Sequence, residues 1–244
     1  MRYLVNIKYD GHAFYGFQIQ NKERTIEGDL TNALSKILNE DAKIVGCSRT
    51  DRGVHANDFC FHFETYKELD VNRLRKSLND LTEDDIYIRS VKVVSEEFHA
   101  RYSVKCKEYK YIINTGEYEP TMRNYSLQYC KPIDLELITK ASKILEGEHD
   151  FKSFTSDNEK ENTVRTINYI RIEKVNSDVY IYVNASGFLK YMVRNIVGLL
   201  LEINEGKKQM EDIKKILESK DRTKLGMCAS PEGLYLNKVE YVVE

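Results

Sequence analysis

A carboxylate placed between two arginines is the feature of this sequence with the clearest chemical potential. Asp51 lies in the run Arg49-Thr50-Asp51-Arg52-Gly53, and His55 follows two residues later. Asp and Gly are poor strand formers, so this run predicts a loop. Neighbouring cations favour the ionised carboxylate and lower its pKa. An ionised carboxylate on a turn can act as a nucleophile or a general base. A charged surface turn with a local ion pair explains the spacing equally well.

A cation within an apolar helix is the second chemical candidate. The segment from Phe188 to Ile203 predicts a long helix that is apolar on most sides and therefore buried. Arg194 lies in its middle, and a buried charge needs a partner because an uncompensated one is strongly destabilising. Asp51 is the candidate partner. The alternative is that Arg194 reaches the surface or pairs with a structural acid.

Lysines and tyrosines alternate in the middle of the chain. Lys105, Lys107 and Lys110 interleave with Tyr109 and Tyr111. This pattern suits RNA, since cations meet phosphates and aromatic rings stack on bases. The alternative is a strand with a tyrosine-lined core face and a lysine-rich solvent face.

Metal and nucleotide motifs are not found in the sequence. Cys47, His55, Cys60 and His62 are close together but lack the paired spacing of zinc ligands. The glycines form no phosphate-binding loop. We therefore expect no zinc site and no nucleotide bound by a glycine-rich loop.

The composition predicts an ordinary globular protein that works in a reduced compartment. The chain has 244 residues and a formal net charge of -2, so any nucleic-acid binding must come from a local patch. The N-terminus does not read as a signal peptide, and no apolar run is long enough for a membrane helix. The five cysteines are odd in number and have no paired spacing. These features predict a cytoplasmic location without membrane attachment.

The order of predicted elements indicates an α+β fold with two related halves. We predict pseudo-symmetric halves at residues 1–103 and 104–244 that share a central, mostly antiparallel sheet, with helices on one face and an active-site cleft between them. Thr25, Asp70 and Asp134 are predicted helix N-caps. A hairpin is predicted to turn at Asn176-Ser177-Asp178, and the last strand to run from Leu234 to Val243.

Taken together, these segments resemble the tRNA pseudouridine synthase A family over nearly the whole chain. The resemblance rests on motifs that occur in the family's order: Tyr9-Asp10-Gly11, Tyr15-Gly16-Phe17-Gln18, Arg49-Thr50-Asp51 with Gly53-Val54-His55-Ala56, Lys107-Glu108-Tyr109-Lys110-Tyr111, Met192-Val193-Arg194-Asn195 and Ala229-Ser230-Pro231-Glu232-Gly233.

The resemblance implies an isomerase that converts uridine to pseudouridine in the anticodon stem-loop of tRNA, without cofactor or metal. It implies that Asp51 is the catalytic aspartate, that Tyr109 stacks on the target base and that Arg194 pairs with Asp51. It also implies a homodimer that binds tRNA. From charge and position, we expect Arg49 to lie near the RNA backbone. His55 is a further candidate for substrate contact, although we expect it to order the loop by hydrogen bonding.

Departures from the family pattern keep other functions open. Arg52 follows the aspartate where many relatives have a small residue, and Phe17 replaces a common tryptophan. Because Arg52 could change the preferred RNA, the same chemistry on ribosomal RNA is one alternative. A non-catalytic RNA-binding or folding factor on the same scaffold is another, and a zinc-bound structural module is a third.

Overall fold

The computed structural model describes residues 1–157 and 159–242, which form two compact units of mixed α/β structure. Among the described residues, one unit comprises residues 1–105 and 235–242, and the other lies between them, from residue 106 to residue 234. The predicted division after residue 103 lies two residues before this boundary. The last strand, however, groups with the first unit because it pairs in parallel with a strand there, at Tyr235 opposite His55.

The helices and strands follow one another along the chain in this order: β1 (Arg2–Tyr9), α1 (Ile26–Leu38), β2 (Ile44–Gly46), β3 (His55–Glu64), α2 (Val71–Leu81), β4 (Ile86–Val94), β5 (Val104–Asn114), β6 (Leu127–Gln128), α3 (Leu135–Lys143), β7 (Gly147–Asp150), β8 (Val164–Val175), β9 (Asp178–Ala185), α4 (Met192–Asn204), α5 (Met210–Ser219) and β10 (Leu234–Tyr241). The last strand was predicted to reach Val243, which lies outside the described residues.

The first unit is a sheet with one apolar face. β1 pairs antiparallel with both β3 and β4, and β2 pairs antiparallel with β3. Alternate residues of β1 are buried and lie opposite buried phenylalanines of β3, as in the pairs Tyr3–Phe63 and Val5–Phe61. This period of two places one row of side chains in the core, as the sequence pattern predicted. Helices α1 and α2 cover this core with their own buried leucines.

The second unit has a similar plan. β5, β9, β8 and β7 pair antiparallel in that order, and β6 pairs in parallel with β5. The predicted hairpin is confirmed, since β8 ends at Val175, β9 begins at Asp178 and Asn176 has a positive φ of 57° in the turn. The α+β class with mostly antiparallel pairing is thus observed within each unit.

The predicted helix N-caps are confirmed in both units. The side chains of Thr25, Asp70 and Asp134 accept hydrogen bonds from backbone amides in the first turns of α1, α2 and α3, at 3.2, 2.8 and 3.0 Å respectively. Each cap satisfies an amide that has no carbonyl partner within its helix.

The apolar helix of the second unit is α4, and its predicted burial is confirmed. Most of its side chains are buried, including the whole run from Asn195 to Leu201. Its predicted start at Phe188 was wrong, because Tyr191 has a left-handed backbone with φ of 64°. A helix cannot propagate through such a residue, so α4 begins only at Met192. Within the described residues, no helix has the length and apolar character needed to span a membrane.

Candidate active site

The predicted site residues are divided between the two units. Arg49, Asp51 and His55 belong to the first unit, and Tyr109 and Arg194 belong to the second. Each group is positioned by elements of its own unit. In the first unit the site is the loop between β2 and β3, which we call the Asp51 loop (residues 47–54).

The Asp51 loop is held by the segment that follows β1. The Phe17 amide donates to the Thr50 carbonyl oxygen at 3.1 Å, and the Gly53 amide donates to the Phe14 carbonyl oxygen at 3.2 Å. The Tyr9 hydroxyl also lies 2.8 Å from the Thr50 hydroxyl. These contacts fix the backbone on both sides of Asp51, whose side chain stays partly exposed. A carboxylate can thus be presented on a rigid loop.

Two glycines allow this close approach. Gly16 has a φ of 91°, and a Cβ atom there would lie 2.7 Å from the Thr50 carbonyl oxygen. A Cβ atom on Gly11 would overlap the Val54 carbonyl. Any side chain at either position would push the loop away. The Tyr-Asp-Gly and Tyr-Gly-Phe-Gln motifs therefore pack directly against the Asp51 loop. The motifs alone did not reveal this role.

The two arginines beside Asp51 do not neutralise it. Both side chains are exposed, and within the described part of the chain neither Arg49 nor Arg52 forms an ion pair. The charged turn with a local ion pair, one interpretation of the sequence, is therefore not formed. The Arg52 guanidinium instead lies 4.0 Å from the centroid of the Tyr15 ring. Sequence reasoning missed Tyr15 because nothing in the spacing linked it to Arg52.

His55 is the first residue of β3 and directly follows the Asp51 loop. Its side chain is buried, and its ring stacks on Tyr235 with centroids 4.6 Å apart. The Gly11 amide nitrogen lies 3.1 Å from Nδ1, within hydrogen-bonding distance. Asp10 Oδ1 lies 3.1 Å from the same nitrogen. These contacts are compatible with a role of His55 in ordering the loop, and both that role and its contact with substrate stay predictions.

In the second unit, Tyr109 lies on the inward face of β5. It is 6 % exposed, and its ring meets Phe188 edge-on with centroids 5.0 Å apart. The strand's alternation puts Lys105 and Lys107 on the same face as Tyr109, whereas Lys110 lies on the opposite face. The simple division into a tyrosine face and a lysine face is therefore wrong. Burial lowers the pKa of Lys110, whose ammonium lies 5.4 Å from the Tyr180 ring centroid.

Arg194 lies near the N-terminal end of α4 rather than in its middle, because the helix starts late. The side chain is half-buried, and its Nε donates to the Ala229 carbonyl oxygen at 2.7 Å. The Ala229 amide donates back to the Arg194 carbonyl oxygen at 3.1 Å. A Cβ atom on Gly198 would overlap the Met227 carbonyl, so glycine lets this segment lie directly against the helix. The reciprocal bonds orient the Arg194 side chain.

A metal centre gains no support from the residues that the structure describes. Among them, no group of three or more histidine, cysteine or acidic side chains is arranged to hold an ion. Cys60 lies on the sheet face opposite the phenylalanines of β3, and burial raises the pKa of its thiol to about 11.

Comparison with known proteins identifies the family. A sequence model described as tRNA pseudouridine synthase matches residues 6–103 and 141–242. Proteins called tRNA pseudouridine synthase A match nearly end to end. The protein from Thermoanaerobacter sp. (strain X514) is 41% identical over 240 residues, which is 98% of this chain and 98% of the relative. The Pseudothermotoga lettingae protein is 39% identical over 98% of this chain and 99% of its own length. The Aquifex aeolicus protein is 40% identical over 97% and 98%.

A solved structure titled "Crystal Structure of a Cbf5-Nop10-Gar1 Complex" is a remote match, with a TM-score of 0.34 and 13% identity over 78% of this chain and 52% of that one. The likeness is too slight to support any conclusion. The family model, in contrast, matches ranges that include the Asp51 loop and the Arg194 segment, and the relatives match over nearly their full length. The chain belongs to the tRNA pseudouridine synthase family of isomerases.

Proposed function

We propose that this protein converts uridine to pseudouridine in the anticodon stem-loop of tRNA, with Asp51 as the catalytic carboxylate. The observation that carries the proposal is the Asp51 loop. Its backbone is fixed by hydrogen bonds with Phe14 and Phe17. The Asp51 side chain is partly exposed and forms no ion pair with the adjacent arginines. The full-length relatives bear the name of this activity.

The reaction needs a fixed carboxylate and a pocket that tolerates rotation of the base. The uracil must leave the RNA stack, at a cost of a few kcal/mol. Its N1–C1′ bond then breaks, the ring turns while still held, and a C5–C1′ bond forms. The proton lost from C5 is balanced by the proton gained at N1, so no oxidant or cofactor enters. Asp51 is the group that assists cleavage of the bond to C1′.

The other predicted residues have supporting parts in this proposal. Tyr109 offers a ring to the extruded uracil, and its burial suits the wall of a pocket better than an exposed platform. Arg194, oriented by Ala229, is the proposed ion-pair partner of Asp51. Arg49 is exposed and has no carboxylate partner among the described residues, which suits a contact with an RNA phosphate. His55 positions the loop.

The partner and the setting follow from the same proposal. A chain with a formal net charge of -2 must bind the RNA polyanion through local cations, and a homodimer would combine the cations of two subunits. The five cysteines have no paired spacing in the sequence, which suits an enzyme of the cytoplasm, where tRNA is also found.

The direct test is to map pseudouridine in total RNA from a strain that lacks this gene, and to repeat the mapping after expression of the protein. We expect anticodon stem-loop sites of tRNA to lose the modification and to regain it on expression. The purified protein must also form it on unmodified tRNA transcripts. Loss confined to ribosomal RNA would overturn the choice of substrate. If the Asp51→Asn protein restored the function of the strain without restoring pseudouridine, the result would instead support the non-catalytic RNA-binding factor.

A further inference from the structure

The stack of Arg52 on Tyr15 places an unneutralised cation beside the proposed catalytic aspartate. The guanidinium lies 4.0 Å from the Tyr15 ring centroid, and the Arg52 side chain is exposed. Within the described residues, no carboxylate forms an ion pair with Arg52. The charge is thus oriented by the ring but left uncompensated.

Among the described residues, two other arginines lie about as close to a ring centroid as Arg52 does, whereas Arg101 lies 5.9 Å from the Tyr102 centroid and also has no ion pair. Arg24 lies 4.1 Å from the Phe14 ring centroid, and it also pairs with Asp85 at 2.6 Å. Arg171 lies 3.9 Å from the Tyr182 ring centroid, and it also pairs with Glu173. In both cases an acid of the chain completes the arrangement. The Arg52 stack has the same geometry without an ion pair among the described residues, so its guanidinium is available to an anion from outside the chain.

The backbone around Tyr15 makes the stack rigid. The Tyr15 amide donates to the Arg24 carbonyl oxygen at 2.9 Å, and the Gln20 side chain donates to the Tyr15 carbonyl oxygen at 2.6 Å. The next residue, Gly16, is pressed against the Asp51 loop that carries Arg52. Tyr15 and Arg52 therefore lie on two segments that are joined by backbone hydrogen bonds.

We propose that Tyr15 and Arg52 form a preorganised binding site for a phosphate of the RNA strand next to the target uridine. The proposal rests on the proposed function, because that function supplies the polyanion. A guanidinium stacked through one face keeps its N–H edges available, and those edges match two phosphate oxygens. The ring restricts the rotamers of Arg52, so less conformational freedom is lost when the phosphate binds.

Salt-dependent binding of an unmodified tRNA transcript tests this site. All proteins carry Asp51→Asn so that the RNA is not converted. We expect Arg52→Gln to weaken binding about tenfold at physiological salt. We also expect it to lower the slope of log Kd against log salt by about one. Tyr15→Leu should weaken binding less, and Tyr15→Phe should bind like the parent because the ring is kept. Arg73→Gln is the matched control, since Arg73 is exposed on α2 and has no ion-pair partner among the described residues.

An unchanged affinity and slope in Arg52→Gln would overturn the proposal. So would a loss of turnover with an unchanged slope when Arg52→Gln is made in the otherwise wild-type protein, because that result assigns Arg52 to loop positioning. Unfolding midpoints within one degree of the parent make either result interpretable. The two proposals can fail separately. A changed slope together with no pseudouridine formation by the wild-type protein would reject the enzyme but keep the phosphate site. An unchanged slope together with pseudouridine formation by the wild-type protein would reject only the phosphate site.

Discussion

At the scale of single residues, the position of the Asp51 loop depends on two glycines that have no side chain. Gly11 and Gly16 bring the segment after β1 against the loop so closely that a methyl group on either would strike a carbonyl. The sequence motifs contain both glycines, but their reason is a contact between distant segments. Local spacing could therefore identify Asp51 as a candidate and could not explain what holds it. The stacking of Arg52 on Tyr15 could not be predicted either, because it is also a contact between distant segments.

Gly16→Ala tests this view of the loop. Gly147→Ala is its matched control, because Gly147 has a φ of 92° and a Cβ atom there would meet nothing within 4 Å, whereas Gly16 has a φ of 91° and meets Thr50. We expect Gly147→Ala to lower the free energy of unfolding by about 1 kcal/mol from the left-handed backbone. Gly16→Ala should cost about 2 kcal/mol more, because the loop must move. Urea denaturation measures both, and equal losses would show that the contact with Thr50 carries no energy.

His62 gives the fold a pH dependence. It is 4 % exposed and accepts a hydrogen bond from the Ala100 amide at 3.1 Å. Burial, with smaller effects from His99 and Arg2, lowers its pKa from 6.5 to about 4. The folded protein thus binds fewer protons than the unfolded chain between these values. The stabilisation is complete above pH 6.5 and is lost as the pH falls towards 4.

Unfolding free energies at pH 7 and pH 4.5 measure this effect. The loss on acidification should be about 2 kcal/mol smaller in His62→Asn than in the wild type, because one pKa unit corresponds to about 1.4 kcal/mol. Asparagine keeps an acceptor for the Ala100 amide but has no proton to bind. An identical loss in both proteins would assign the acid sensitivity to other groups.

At the scale of elements, local signals were accurate where a local interaction decides the structure. Thr25, Asp70 and Asp134 were correctly predicted as N-caps, because a cap bonds within its own turn. The start of α4 was misplaced because hydrophobic periodicity continues through Tyr191, whose left-handed backbone ends the pattern. Grouping β10 with the first unit depends on long-range pairing with β3, which the order of elements could not disclose.

In helix α4, we expect a glycine-to-alanine substitution to have the opposite of its usual effect on stability. Glycine to alanine inside a helix normally stabilises by up to about 1 kcal/mol. Gly198→Ala should instead destabilise by at least about 2 kcal/mol, because the methyl group would displace the Met227 carbonyl. The displaced segment includes Ala229, which holds Arg194, so turnover should fall as well. Thermal unfolding and a turnover assay measure the two effects, and a rise in stability would refute the close packing.

At the scale of the whole molecule, a net charge of -2 is a weak basis for binding a polyanion. The proposal therefore relies on local cations without carboxylate partners, such as Arg49 and Arg52, among the residues that the structure describes, and on two subunits acting together. Sedimentation of the purified protein should give a mass of twice 28.5 kDa at micromolar concentration. A mass of 28.5 kDa that persists when tRNA is added would refute the homodimer.

The central claim is that Asp51 carries the chemistry of uridine isomerisation. Tritium release from tRNA that contains 5-tritiated uridine reports directly on the loss of the C5 hydrogen. Asp51→Asn should reduce this release to background while tRNA affinity stays within several-fold of the wild type. Asp41→Asn, a change at another exposed aspartate of the first unit, should release tritium at the wild-type rate. Turnover by Asp51→Asn at a substantial fraction of the wild-type rate would contradict the account.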